Sequence, residues 1–127
     1  MTHKKDELGK WGEERAARFL KKQGLRVLER NVELPAGEID LVARDGDSLV
    51  IVEVKTRTEA DFGGPLAAVN PSKRRKLVTL ARSYLARRSL GETPCRFDIV
   101  GVTQKLNSPS PEIEYIRDAF DASGRPT

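Results

Sequence analysis

The sequence predicts an α/β fold: a mixed central sheet of about five strands flanked by helices, in the order αβββαββ. Three observations predict it. Two stretches, over 6–23 and 71–90, repeat apolar residues at helical spacing. Five shorter stretches are β-branched or alternate in polarity, as strands do. Turn signals join the first three strands, whereas the second helix stands between the third and fourth, where it can carry a crossover connection.

In the first helix, over 6–23, Leu8, Trp11, Ala16, Phe19 and Leu20 recur on one side, and Gly24 follows as a stop signal. The stretch 25–34 has strand-like apolar residues and ends at the turn signal Pro35-Ala36-Gly37. Residues 38–44 alternate, and Asp45-Gly46-Asp47 supplies a tight hairpin turn. The next stretch, 48–57, is almost continuously apolar up to Val54, which fits a central strand covered on both faces. Residues 58–70, with Gly63-Gly64-Pro65, read as a long loop able to serve as a substrate clamp or a dimer contact. Asn70 can cap the second helix and Pro71 suits its first turn. Leu77, Leu80, Ala81, Tyr84 and Leu85 form its apolar face, and Gly91 ends it. Strands over 96–104 and 112–116 complete the sheet. The chain thus reads as one domain over 1–118 with a flexible tail over 119–127.

Charged residues make up 33% of the 127 and hydrophobic ones 38%, the balance of a soluble globular domain. No apolar run approaches a membrane span, and the first residues lack the apolar stretch of a signal peptide. One cysteine, Cys95, excludes an internal disulfide and a cysteine metal cluster, and a reducing cytoplasm is the expected location. The whole chain carries +4, yet the second helix alone holds seven basic residues (Lys73, Arg74, Arg75, Lys76, Arg82, Arg87, Arg88) and no acid. The rest is therefore net acidic. Such a helix is either a solvated face or a surface for a polyanion.

Period-two geometry sorts the candidate chemistry. On the strand 48–57, Leu49, Ile51, Glu53, Lys55 and Arg57 share a face, so Glu53 and Lys55 emerge together where the apolar stretch ends. If the Asp45-Gly46-Asp47 turn pairs this strand with the one before it, Asp40 can project beside them. Buried charges of this kind are costly unless compensated. A salt bridge at a strand end is one compensation. A hard divalent cation, which prefers carboxylate oxygens and completes its shell with water and phosphate, is the other. Asp98 is open to a site role or a structural one. His3 is the only histidine and falls in the terminus, and no Ser/His or Cys/His arrangement is available. With aromatic residues at 6%, Trp11, Phe19, Tyr84 and Phe97 read as core residues rather than base-stacking platforms.

The stretch Gly37-Glu38-Ile39-Asp40-Leu41-Val42-Ala43, followed by Val50-Ile51-Val52-Glu53-Val54-Lys55-Thr56-Arg57, resembles the PD-(D/E)xK nuclease motif. In particular it is similar to the bacterial YraN family, which is related in fold to archaeal Holliday-junction resolvases and restriction endonucleases. The similarity also takes in Gly9-Lys10-Trp11-Gly12-Glu13-Glu14, the basic helix from Lys73 to Leu85, and Arg96-Phe97-Asp98-Ile99-Val100. The resemblance implies a restriction-endonuclease-like fold in which Asp40 and Glu53 are carboxylates for Mg²⁺ or Mn²⁺. It makes Lys55 the motif lysine and turns the Val54 carbonyl toward the ion. Glu13 stands where resolvase-like members carry a helical acid, able to reach the site or to lie in solvent. The proline–aspartate pair that names the motif is Ile39-Asp40 here, which keeps its chemical half.

The expected function is a metal-dependent endonuclease hydrolysing phosphodiester bonds in DNA, branched or repair intermediates included. Arg57, Lys73, Arg74, Arg75, Lys76 and Arg82 would contact phosphates, with salt-sensitive and weakly sequence-specific binding. Cutting a junction would require a homodimer. The alternative is a non-catalytic nucleic-acid-binding or accessory protein on the same fold. A third reading is an interaction module whose basic helix docks on an acidic partner.

Overall fold

A computed structural model describes residues 6–59 and 64–127. Helix α1 (Glu7–Lys22) starts at Asp6, whose side chain accepts a hydrogen bond from the Gly9 amide. Strands β1 (Arg26–Leu34), β2 (Gly37–Asp45) and β3 (Ser48–Thr58) follow as antiparallel neighbours. After a four-residue helix α2 (Pro65–Ala68), helix α3 (Pro71–Arg87) crosses over to β4 (Cys95–Gln104), which pairs parallel with β3. Strand β5 (Glu112–Phe120) returns antiparallel along β4. The five strands lie in the order β1-β2-β3-β4-β5. The α/β class and mixed five-stranded sheet are as expected, and α2 adds a helix to give αβββααββ. Among the described residues no helix is long and apolar enough to cross a membrane.

One core lies on each face of the sheet. On the α3 side, Leu77, Leu80 and Tyr84 pack over Ile39, Ile51, Ile99 and Phe120. On the α1 side, Ala16, Ala17 and Leu20 pack over Leu41, Val50, Val52 and Val100. This double cover is why β3 is apolar at both alternating positions. The β2–β3 hairpin closes through Gly46, whose φ of +59° is one that a side chain disfavours. Helix α1 comes so near β3 that a Cβ on Gly12 would stand 2.0 Å from Thr56 Oγ1. Gly12→Ala is therefore expected to destabilise the fold by roughly 1–3 kcal/mol, as overpacking does, read by urea unfolding. Adding Thr56→Ala should restore only part of the loss, because Thr56 Cβ would still lie 2.9 Å away.

Two expectations are corrected. The stretch 58–70 is not all loop: Thr58 closes β3 and 65–68 are helical, while residues 60–63 lie outside the described residues, as does His3. The tail is not frayed from Ala119. Strand β5 continues to Phe120, which is 1% exposed and stacks on Phe97 with ring centroids 4.8 Å apart. Beyond it the chain turns back, with Asp121 N donating to Arg125 O and Thr127 N to Ala119 O. A positive φ at Asp118 and a register shift between Phe97 and Ile99 interrupt the alternation, so the apolar pair Ala119-Phe120 reads as isolated from the strand.

Candidate metal centre and nucleic-acid surface

The site begins where β2 leaves β3. The last rung between them pairs Leu41 with Val52. Residues two apart on an unbroken strand share a face, yet Ile39 packs on the α3 side and Leu41 on the α1 side. The strand turns over at Asp40. Its carboxylate then replaces a backbone partner: Val54 N donates to Asp40 Oδ2 at 2.8 Å.

Glu53 continues the α3-side row of Leu49 and Ile51 and is only 4% exposed. Its carboxyl is hydrogen-bonded to that of Asp40, which is 7% exposed. Burial first, and then the bond to Asp40 and its charge, push the Glu53 carboxyl from its ordinary 4.5 up to about 8, against the opposing pull of Lys73 and Lys55. Lys55 Nζ lies 3.9 Å from Glu53 Oε2, and Lys73 Nζ, reaching down from the first turn of α3, lies 3.4 Å from the same oxygen. Asp40, Glu53, Val54 and Lys55 are thus brought together, and Lys73 joins them.

Glu13 is buried on α1 and lines a cleft of roughly 350 Å³ with Asp6, Gly9, Val54, Lys55 and Thr56. It meets the lysine side of the centre and does not complete a third carboxylate: no group of three or more His, Cys, Asp or Glu side chains among the described residues could hold a metal ion. Two carboxylates are nevertheless a donor set that suits Mg²⁺, which commonly takes one or two and keeps water and phosphate in the rest of its shell. A pair of acids forced together in an apolar wall is also what such a cation relieves. The residues fit the ion.

The basic residues divide by what they touch. Arg75, Lys76 and Arg82 are exposed on α3. Lys76 extends over the β1–β2 turn, where a Cβ on Gly37 would lie 3.0 Å from its Cε. Arg57 donates to Thr103 Oγ1 at 3.4 Å. Arg74 departs from its expected role. Its Nε donates to Gly124 O and one terminal nitrogen to Val69 O, each at 2.8 Å, so the guanidinium ties the C-terminal turn to the end of α2. Arg88 pairs with Glu29 at 2.8 Å and covers the Tyr84 ring. Arg75, Lys76, Arg82 and Arg87 thus leave exposed positive charge along the length of α3, while Lys73 reaches Glu53 at its start. The first turn of α3 has no acid, although the helix dipole favours acids there.

Asp98 proves structural. It faces the α1 side, receives hydrogen bonds from Arg96, Tyr115 and the Asp118 amide, and is 1% exposed. Arg96 also reaches Asp45 at 2.7 Å, clamping β4 to the β2–β3 hairpin. Sequence spacing shows Arg96 and Asp98 on one strand face, but Asp45 is joined to them only by the fold.

The family profile described as "Uncharacterised protein family UPF0102" matches residues 12–102. This chain belongs to the UPF0102 family. The YraN-like resemblance read from the motifs points to the same family. The matched span includes Glu13, Asp40, Glu53, Lys55 and Lys73. A UPF0102 protein of Syntrophotalea carbinolica is 41% identical over 124 residues, covering 98% of this chain and 99% of its own. Relatives in Geotalea daltonii and Chromohalobacter salexigens are 46% and 47% identical, over 90% and 87% of this chain and 89% and 87% of theirs. Among solved structures, the Ca²⁺ complex of Pyrococcus furiosus SfsA aligns at a TM-score of 0.44 and 14% identity, over 86% of this UPF0102 chain and 63% of that one. That likeness is too loose to assign a site.

Proposed function

We propose that this chain is a metal-dependent phosphodiester hydrolase acting on DNA, with Asp40 and Glu53 as the carboxylates that hold Mg²⁺ or Mn²⁺. The observation that carries the reading is the buried, hydrogen-bonded Asp40–Glu53 pair with two lysine ammoniums at its mouth. Here two buried acids meet side by side at the point where a central strand loses its cover. The ion would supply Lewis acidity and a coordinated water of lowered pKa.

The protein's own groups do the rest. Asp40 is held in place by the Val54 amide, so one carboxylate is oriented before anything binds. Lys55 Nζ can donate to a non-bridging phosphate oxygen and stabilise charge developing there. Glu13, across the cleft from Lys55, acts through that lysine by ordering water around it rather than as a ligand. Arg57, Lys76, Arg75 and Arg82 extend positive charge away from the centre for the nucleic-acid backbone, and the exposed end of the α3 dipole adds to it. Paired cutting of a four-way junction would need two copies of the chain.

The expected result is Mg²⁺- or Mn²⁺-dependent nicking of DNA, abolished by a chelator, with Lys55→Ala slowing it by about a hundredfold or more while unfolding stability is kept. A panel of linear, flapped and four-way substrates reads it. Binding to all of these without cleavage under either metal would overturn the reading and favour a non-catalytic DNA-binding protein.

A further inference from the structure

The Glu53 carboxylate is served by two ammoniums from different elements. Lys55 comes from its own strand and Lys73 from the first turn of α3, at 3.9 and 3.4 Å from the same oxygen. Both lysine side chains remain 35% exposed while Glu53 is almost sealed. Together the two carry the charge of one divalent ion, and they lie against an oxygen that such an ion would take. A divalent cation and two ammoniums cannot share that oxygen without strong like-charge repulsion.

Of the two lysines, Lys73 has somewhere to go. It stands at the third position of α3, with its own amide donating to Asn70 Oδ1 and no acidic neighbour in that turn. Lys76 follows one turn on and lies over the β1–β2 turn at the same end of the sheet. An ammonium expelled from Glu53 therefore enters a region already positive, where an arriving phosphate is its natural counter-ion.

The geometry points to Lys73 as a resident counter-cation of Glu53 that a divalent ion displaces and that then binds substrate phosphate. This rests on Asp40 and Glu53 being the cation-binding pair. Lys73 makes metal binding and DNA binding interdependent: the ion must compete with Lys73, and in doing so it releases a phosphate ligand. By linkage, the gain that the ion confers on DNA affinity equals the gain that DNA confers on ion affinity.

Lys73→Gln tests this with measurements that need no turnover. In calorimetry on the free protein, its Ca²⁺ affinity should rise roughly three- to tenfold, as expected when a nearby competing charge is removed. Lys22→Gln, which removes one charge at the far end of α1, serves as the control and should change little. In fluorescence anisotropy on a short duplex at pH 9, where Glu53 is ionised with or without metal, Lys73→Gln should weaken DNA binding in Ca²⁺ by about tenfold, the scale of one charge-assisted contact, yet leave binding in EDTA unchanged. Lys73→Arg should restore most of the contact. Unaltered or weaker Ca²⁺ affinity, or an equal loss of DNA affinity with and without Ca²⁺, overturns the inference.

A second arm uses no metal. Glu53→Gln releases Lys73 by removing its counter-charge, so at pH 9, where the wild-type carboxyl is ionised, DNA affinity in EDTA should rise, and adding Lys73→Gln should abolish the rise. If wild type binds no Ca²⁺, the metal reading fails, and this arm still decides whether Lys73 changes partners. No rise in Glu53→Gln, or a rise that survives the loss of Lys73, counts against it.

Discussion

Asp40→Asn is expected to abolish metal-dependent cleavage, with a fall of at least about a hundredfold, since several kcal/mol of charge stabilisation at a metal site is worth two or more powers of ten. The choice of asparagine matters. Asp40 has a second task, accepting the Val54 amide hydrogen bond at 2.8 Å where the β2–β3 ladder ends. Asparagine keeps an oxygen to accept that bond, while it loses the charge and puts an NH₂ group in place of the other carboxylate oxygen. Asp40→Ala removes both and leaves a half-buried amide without its partner, at a cost of about 1–3 kcal/mol. Urea unfolding should therefore find Asn near wild type and Ala destabilised, while both are inactive. If Asp40→Asn retains cleavage within a fewfold of wild type, Asp40 serves the strand and not the ion.

That double role also marks the limit of what the sequence can reveal. The placement of Glu53 beside Lys55 follows from strand periodicity, and their strand is recognisable from its continuous apolar character. The cap and first turn of α3 are visible in Asn70-Pro71. The approach of Asp40 to Val54 is not, because it depends on β2 turning over between Ile39 and Leu41, and no local residue announces that turn. Lys73 presents the same difficulty in another form. Within its helix it is one of several bases in a run. Only the crossover from β3 to β4 lowers the start of α3 onto Glu53. Arg74, the adjacent base, points instead to main-chain carbonyls at Val69 and Gly124. Neighbours in a charge run can have unrelated tasks, and helical angle combined with tertiary packing decides which. Asp98 illustrates the converse: an acid following a motif-like phenylalanine is fully engaged by Arg96, Tyr115 and an amide on the other face of the sheet.

The state of Glu53 leads to an expected dependence of stability on pH. Its carboxyl titrates at about 8 in the folded chain, against an ordinary 4.5, chiefly because it is buried and secondly because Asp40 adjoins it. Between those values the folded chain retains a proton that the unfolded chain has released. The contribution of Glu53 to stability is therefore fully present below the ordinary carboxylate range and declines as pH rises toward 8, with a limiting slope of about 1.4 kcal/mol per pH unit. Few other side chains compete for this window, since the only histidine is His3. A divalent cation favours the ionised carboxylate and should oppose the decline, so millimolar Mg²⁺ should raise the melting temperature far more at pH 8 than at pH 5. Glu53→Gln carries no ionisable group, so it should flatten the pH profile and remove most of the Mg²⁺ effect together. Thermal unfolding of both proteins from pH 5 to 8, with Mg²⁺ and with chelator, tests the argument. A wild-type profile that is level or rises with pH in chelator would mean that Glu53 is ionised without a metal, its charge balanced by Lys55 and Lys73 alone. The pair would then be a finished salt-bridge cluster, and the physical case for a cation at this site would lose its main support.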